Sequence, residues 1–223
     1  MRYMEPIISD EDLRSRLRFR DMVRERTLSL YEQLLGLDFR ERVLSTLEKN
    51  GKFVWYDMCC GNFEAGIGLK DLFYCDGRKD ILPKITAVGI DIDTRVKGDE
   101  VLDYGVIRRM GNVVEAVLPP DVDLITCLRG LRYVEEYLGK ACQAVEHWYN
   151  SMPVGATLAF DYNPEIFFEV RGDGPILIND APLLEVLKLQ LGESVEFGKF
   201  KSLVEAAFTV KIHKCEDKKL KLH

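Results

Sequence analysis

The residues best suited to chemistry lie together in FVWYDMCCGNFEAG, positions 53–66, where an apolar run leads to Asp57, the neighbours Cys59 and Cys60, and Gly61. Metal ligation, dithiol redox, phosphate cradling and the seating of a nucleotide-type cofactor all use such parts. Metal and redox chemistry fall first. Adjacent cysteines bridge only through a strained small ring, and the cysteines at 59, 60, 75, 127, 142 and 215 contain no C-x-x-C pair. The histidines at 147, 213 and 223 fall on an expected helix, an expected strand and the last residue, so they complete no ligand set and no metal is expected. A phosphate loop fails because no G-K-[ST] follows, and the glycines at 61, 66 and 68 lack the G-x-G-x-x-G spacing of dinucleotide binders. What remains is an acid at a strand end, a glycine where backbone approaches a ligand, and a helix. Doubly wound sheets hold nucleotide cofactors with this arrangement.

In this form the stretch resembles the first motif of the Rossmann-like S-adenosylmethionine-dependent methyltransferases, approximately [DE]-x-G-x-G-x-G. Asp57 and Gly61 keep the family's acid and middle glycine, while Cys59 and Phe63 stand at the other two glycine positions. AVGIDID, 87–93, resembles the second motif, which makes Asp91 the ribose-diol acceptor with Ile92 beside it. A two-oxygen acceptor suits a vicinal diol. MGNVVEAVLP, 110–119, looks like the third motif: Asn112 would meet the adenine amino group and the Val113 N–H a ring nitrogen. DVDLITCLRGLRYVEEYL, 121–138, is similar to the strand-four motif, with Cys127 and Leu128 lining the cofactor. The resemblance therefore implies S-adenosylmethionine as cofactor, S-adenosylhomocysteine as product, and Asp57, Met58, Cys59, Gly61, Asp91, Ile92, Asn112, Val113, Cys127 and Leu128 as cofactor-binding residues. Read without it, Asp91 caps a helix and Asn112 holds a turn.

The elements that must position these residues follow from periodicity. FVWY (53–56), ITAVGI (85–90), VDLITCL (122–128) and TLAF (157–160) read as buried strands alternating with amphipathic runs, the pattern of a parallel sheet with crossover helices. Residues 10–36 read as a helix stopped by Gly36, and Asp38–Asn50 as a second helix ending at Gly51. Val134, Leu138, Ala141, Val145 and Trp148 recur at helical spacing through YVEEYLGKACQAVEHWYNSM. Residues 165–179 read as a hairpin or lid, followed by a helix that Asp180 caps and Pro182 opens. KFKSLVEAAF reads as a helix, and FTVKIHKC and KLKL as two strands joined by EDK. The expected fold class is α/β: a doubly wound, mostly parallel central sheet with helices on both faces and a C-terminal antiparallel hairpin. An N-terminal helical extension, 1–50, precedes a Rossmann-like domain, 51–223, which carries a lid or insertion at 165–192.

Composition sets the remaining bounds. A chain of 223 residues, 47% hydrophobic, buries a full core without metals or disulfides, so its cysteines are expected as reduced thiols in a soluble, cytoplasmic protein. No apolar run approaches the roughly 20 residues that span a bilayer. A net charge of −6 gives no general attraction to nucleic acid or anionic membrane, which leaves a small-molecule or peptide acceptor. Residues 14–26 hold six arginines, but residues 1–50 carry ten basic and ten acidic side chains, so this run reads as a solvated helix face laced with i,i+4 pairs. Topology alone offers Arg129, Arg132, Tyr133, Asp161 and Tyr162 as acceptor-facing, because ligands sit beyond the carboxyl ends of the strands. No general base stands near those ends, so no catalytic side chain is assigned. The family's amino-methylating [DN]-P-P-[YF] is replaced by Leu128-Arg129-Gly130-Leu131. The alternatives are a non-catalytic methyltransferase-like module, to which the missing glycines point, and a nucleotide-dependent oxidoreductase.

Overall fold

The computed structural model describes residues 26–91, 99–162, 168–171, 174–177, 183–201 and 206–222. Residues 10–25 of the helix expected over 10–36, with Ile92, Asp180, Pro182 and His223, lie outside them; within them that helix begins only at Leu28, because Thr27 is extended.

Two short helices open the described chain. Helix α1, Leu28–Leu35, ends at Gly36, whose φ of 59° is the left-handed stop that the sequence anticipates. Asp38 then caps α2, Phe39–Asn50, by accepting from the Glu41 amide, and Gly51 closes it in the same left-handed way. Strand β1, Phe53–Met58, leads to α3, Glu64–Cys75; β2 is Ile85–Asp91, β3 Asp99–Val101 and β4 Ile107–Met110. Strand β5, Leu124–Cys127, is followed by α4, Leu131–Leu138, and α5, Ala141–Ser151. The chain continues through β6, Thr157–Tyr162, β7, Phe168–Arg171, and β8, Gly174–Leu177, to α6, Leu183–Leu191, β9, Val195–Lys201, and β10, Ala206–His213.

All four expected strands form and pair in parallel within one sheet of order β3-β4-β2-β1-β5-β6-β10-β9. From β1 the chain moves outward to β2 and β4 on one side, then returns to β5 and β6 on the other. The strand order therefore reverses between β1 and β5, and in such sheets ligands sit beyond the carboxyl ends at that point.

Alternation along the strands divides the core into two layers. Phe53, Trp55, Ile85, Ala87, Leu124 and Ala159 face α1, α2 and α3, where Tyr31, Leu35, Phe39, Val43, Leu69 and Phe73 cover them. Val54, Tyr56, Val88, Ile90, Ile125 and Phe160 face the other layer, built from α4, α5 and α6 through Val134, Val145, Trp148 and Leu187. The two helices preceding β1 thus pack as part of the core.

Three expectations need correction. The run from Tyr133 to Met152 is two helices, because Gly139, at φ 60°, caps α4 and turns the chain before α5. KFKSLVEAAF contributes strand residues to β9 and β10 instead of a helix, because cross-strand pairing overrides helical propensity. The C-terminal antiparallel hairpin exists, but β9 and β10 form it, and residues 214–222 add no strand. The 165–179 segment does contain an antiparallel pair, β7 with β8. Among the described residues no helix is long and apolar enough to cross a membrane.

Candidate cofactor site

The site is built on the carboxyl end of β1. Asp57 pairs in register with Gly89 on one side and Thr126 on the other, and its side chain is fully buried on the face covered by α1. Its carboxylate accepts from the Tyr31 hydroxyl at 2.6 Å and the Thr126 hydroxyl at 2.5 Å. Thr126 is held in turn by the Trp55 indole N–H at 2.8 Å. Burial pushes the Asp57 pKa up to about 7, although the bonds from Thr126 and Tyr31 and the charge of Arg26 oppose the rise. Burial likewise drives the Tyr31 phenol well above its ordinary range.

Beyond β1 the backbone makes an irregular loop. Cys59 and Gly61 have φ of 61° and 60°, and Phe63, at 56°, stands immediately ahead of α3 in the same left-handed region. Such conformations are costly for residues with a Cβ. Phe63 pays that cost back through burial: its side chain is 1% exposed, with its ring 5.3 Å from that of Trp55. Two glycines make the room. A Cβ on Gly66 would lie 2.6 Å from the Phe63 ring, and one on Gly89 would meet both Cys60 Sγ and Phe63 Cγ at 2.6 Å. The phenylalanine at a motif-glycine position therefore points into the core, away from the strand ends.

Facing this loop is the one that follows β5. A Cβ on Gly130 would come within 2.3 Å of Cys59 Cβ and 2.8 Å of Cys127 Sγ, so the two loops touch through a glycine. Arg129 has a φ of 55°, and its backbone N–H donates to Asp161 Oδ1 at 2.5 Å. Cys127 and Leu128 are fully buried beneath them. Burial drives the Cys127 thiol well above its usual range, with the neighbouring Cys59 thiol adding to the rise. All six cysteines are free thiols.

Asp91 ends β2, and its Oδ2 accepts the Gly61 amide at 2.5 Å, tying the second motif to the first. Asn112 is exposed at the end of the β4 segment, where its Oδ1 accepts the Val114 amide at 3.0 Å and caps a short 3-10 turn. The Val113 carbonyl accepts the Trp148 indole N–H at 2.7 Å. Met58 is fully buried in the layer opposite Asp57. Among the acceptor-side candidates, Arg129 lies in the loop after β5 and Tyr133 in α4, while Asp161 and Tyr162 are the last residues of β6 and not part of a following loop. Arg132 also lies in α4. Burial raises the Asp161 pKa, against the Arg129 amide and the charge of Arg26.

The residue missed from sequence is Arg26. Read as part of a solvated arginine face, it is instead partly buried at the site, donating through Nη1 to the Cys59 carbonyl. No motif marks it; only its place just ahead of α1, the helix that supplies Tyr31, brings it there. A second, open hollow of about 840 Å³ lies at the opposite ends of the strands, lined by residues including Arg42, Asp123, Thr157 and His213, remote from these loops.

No protein-family model matches the chain, and no curated protein matches it in sequence. Its structure is similar to solved ones. N-methyltransferase NodS from Bradyrhizobium japonicum, in complex with S-adenosyl-L-homocysteine, aligns with a TM-score of 0.52 at 14% identity over 92% of this chain and 99% of that one. LepI in complex with S-adenosylmethionine gives 0.53 at 12% identity, over 89% of this chain and 52% of that one. Haemonchus contortus phospholethanolamine N-methyltransferase 2 gives 0.50 at 13%, over 94% of this chain and 61% of that one. The order of the sheet, the pair of loops at its switch point and these likenesses together establish the fold, that of the Rossmann-like S-adenosylmethionine-dependent methyltransferases.

Proposed function

We propose that the chain binds S-adenosylmethionine at the carboxyl ends of β1, β2 and β5 and catalyses methyl transfer to a small-molecule or peptide acceptor. The observation that carries this reading is the concentration of backbone strain. Of the four non-glycine residues with positive φ among the described residues, three (Cys59, Phe63 and Arg129) lie in the two loops that meet at the switch point. Strain of this kind persists where surrounding structure enforces it, and it collects at ligand sites. The local chemistry fits the cofactor: an acid at the end of β2 for a diol, and acids on β1, β2 and β6 that favour a cation.

When bound, the cofactor supplies a methyl group on a sulfonium, already a good leaving group. The chain must then align an acceptor and keep water out. Asp91 would hold the ribose hydroxyls while keeping the Gly61 amide, and Asn112 and Val113 would meet the adenine. Cys59 and Gly61 would present backbone, with Cys127 and Leu128 forming an apolar floor. Asp57 would support this loop from beneath. Arg129, Arg132, Tyr133, Asp161 and Tyr162 stand on the elements nearest the acceptor side, and the β7–β8 pair follows β6 directly, consistent with a lid. The negative net charge favours a small or peptide acceptor over nucleic acid.

Calorimetric titration with S-adenosylmethionine, S-adenosylhomocysteine and NAD tests the reading: the first two should bind and NAD should not. Preference for NAD, or binding of none, overturns it. Asp91→Asn, which keeps an acceptor for Gly61 but loses the charge, should weaken both adenosyl ligands about tenfold or more. Unchanged affinity would remove Asp91 from the site. A non-catalytic module would bind both ligands yet turn over no acceptor; of the two residues that suggest it, Phe63 is directed into the core.

A further inference from the structure

Arg26 sits against the loop that follows β1. Its guanidinium donates to the Cys59 carbonyl and lies among titratable groups from several elements: Tyr31 on α1, Asp57 and Cys59 at the end of β1, and Asp91 at the end of β2. Asp161 at the end of β6 feels the same charge. Burial pulls the arginine's pKa down, but these neighbours outweigh it and hold the guanidinium above its ordinary value. Among the described residues Arg26 thus brings positive charge to the acids at these strand ends.

The cofactor of the proposed reaction brings its own positive charge, on the sulfonium, to the same strand ends. Two cations held at the same strand ends repel each other. We propose that Arg26 is a resident counter-ion which the cofactor must displace, so that it sets the balance between the sulfonium cofactor and its neutral thioether product. The inference rests on the methyltransferase reading above. Withdrawal would need only the Arg26 side chain to move, leaving α1 and the Tyr31–Asp57 bond in place.

S-adenosylmethionine and S-adenosylhomocysteine differ by one methyl group and the charge it places on sulfur, so the ratio of their affinities isolates the charge. Arg26→Gln should tighten S-adenosylmethionine about tenfold and S-adenosylhomocysteine by clearly less, as measured by calorimetry. Arg26→Lys, which keeps the charge, should stay near the wild-type ratio; thermal melts of both variants confirm folding. Weaker binding of both ligands by Arg26→Gln would make the arginine a ligand anchor and overturn the inference while leaving the methyltransferase reading intact. An equal gain for both ligands, or no change, would overturn it in the same way. Failure of either ligand to bind wild type or either variant would remove the methyltransferase reading and this inference with it.

Discussion

Asp57 shows how one residue's environment differs from what its motif position suggests. Its place at the end of a buried strand was legible, but the donors that surround it were not, because Tyr31 and Thr126 stand 26 and 69 residues away. The consequence is a pH dependence of known sign. With a native pKa of about 7 and an unfolded value near 4, the native state holds the extra proton between those limits. That proton's contribution to stability is complete below about pH 4 and is lost as pH rises through about 7. Urea denaturation at about pH 5 and pH 7 should show wild type losing more stability than Asp57→Asn, by at most about 1.4 kcal/mol per pH unit. Parallel profiles would place the native pKa near the unfolded one. Tyr31→Phe, which removes a donor from this buried carboxyl, should cost about 1–3 kcal/mol at neutral pH.

At the scale of elements, the β1–α3 junction replaces the expected glycines by moving them. The family pattern resembled here keeps its loop open with glycine at the positions of Cys59 and Phe63; in this chain Gly66 and Gly89 instead clear a socket for the Phe63 ring. Those glycines are visible in the sequence, but their purpose depends on α3 crossing β2. Phe63→Ala should destabilise by about 3–5 kcal/mol and leave cofactor affinity no better. Gly66→Ala should cost about 1–3 kcal/mol through its collision with the ring. In the Phe63→Ala background the sign should reverse, since alanine then gains about 1 kcal/mol of helix propensity without an obstacle. Chemical denaturation of the four proteins gives the cycle; additive costs would show that the two residues do not share the socket.

Across the whole molecule, the helices ahead of Gly51 do more than precede the sheet. Tyr31, Leu35, Phe39 and Val43 are all fully buried against the layer containing Phe53 and Trp55. A fragment of residues 51–223 exposes that layer and leaves Asp57 without Tyr31, so it should lack a cooperative thermal transition that the full chain shows. Cooperative unfolding of the fragment would mean that the sheet and the remaining helices suffice.

Sequence by itself determined what depends on neighbours in the chain: the four parallel strands, their alternation with helices, the stops at Gly36 and Gly51, the acids at the ends of β1 and β2, and the resemblance that groups them. These signals are local periodicity, capping and motif spacing, and short-range physics enforces them. Tertiary structure alone decided that the segment 195–213 is a hairpin, because a sheet edge rewards pairing that helical propensity cannot foresee. It also decided that Phe63 turns inward and that Arg26 leaves a supposedly solvated face to donate to the Cys59 carbonyl. Such contacts depend on distance in space, and nothing in the spacing of residues 26 and 59 announces that they meet.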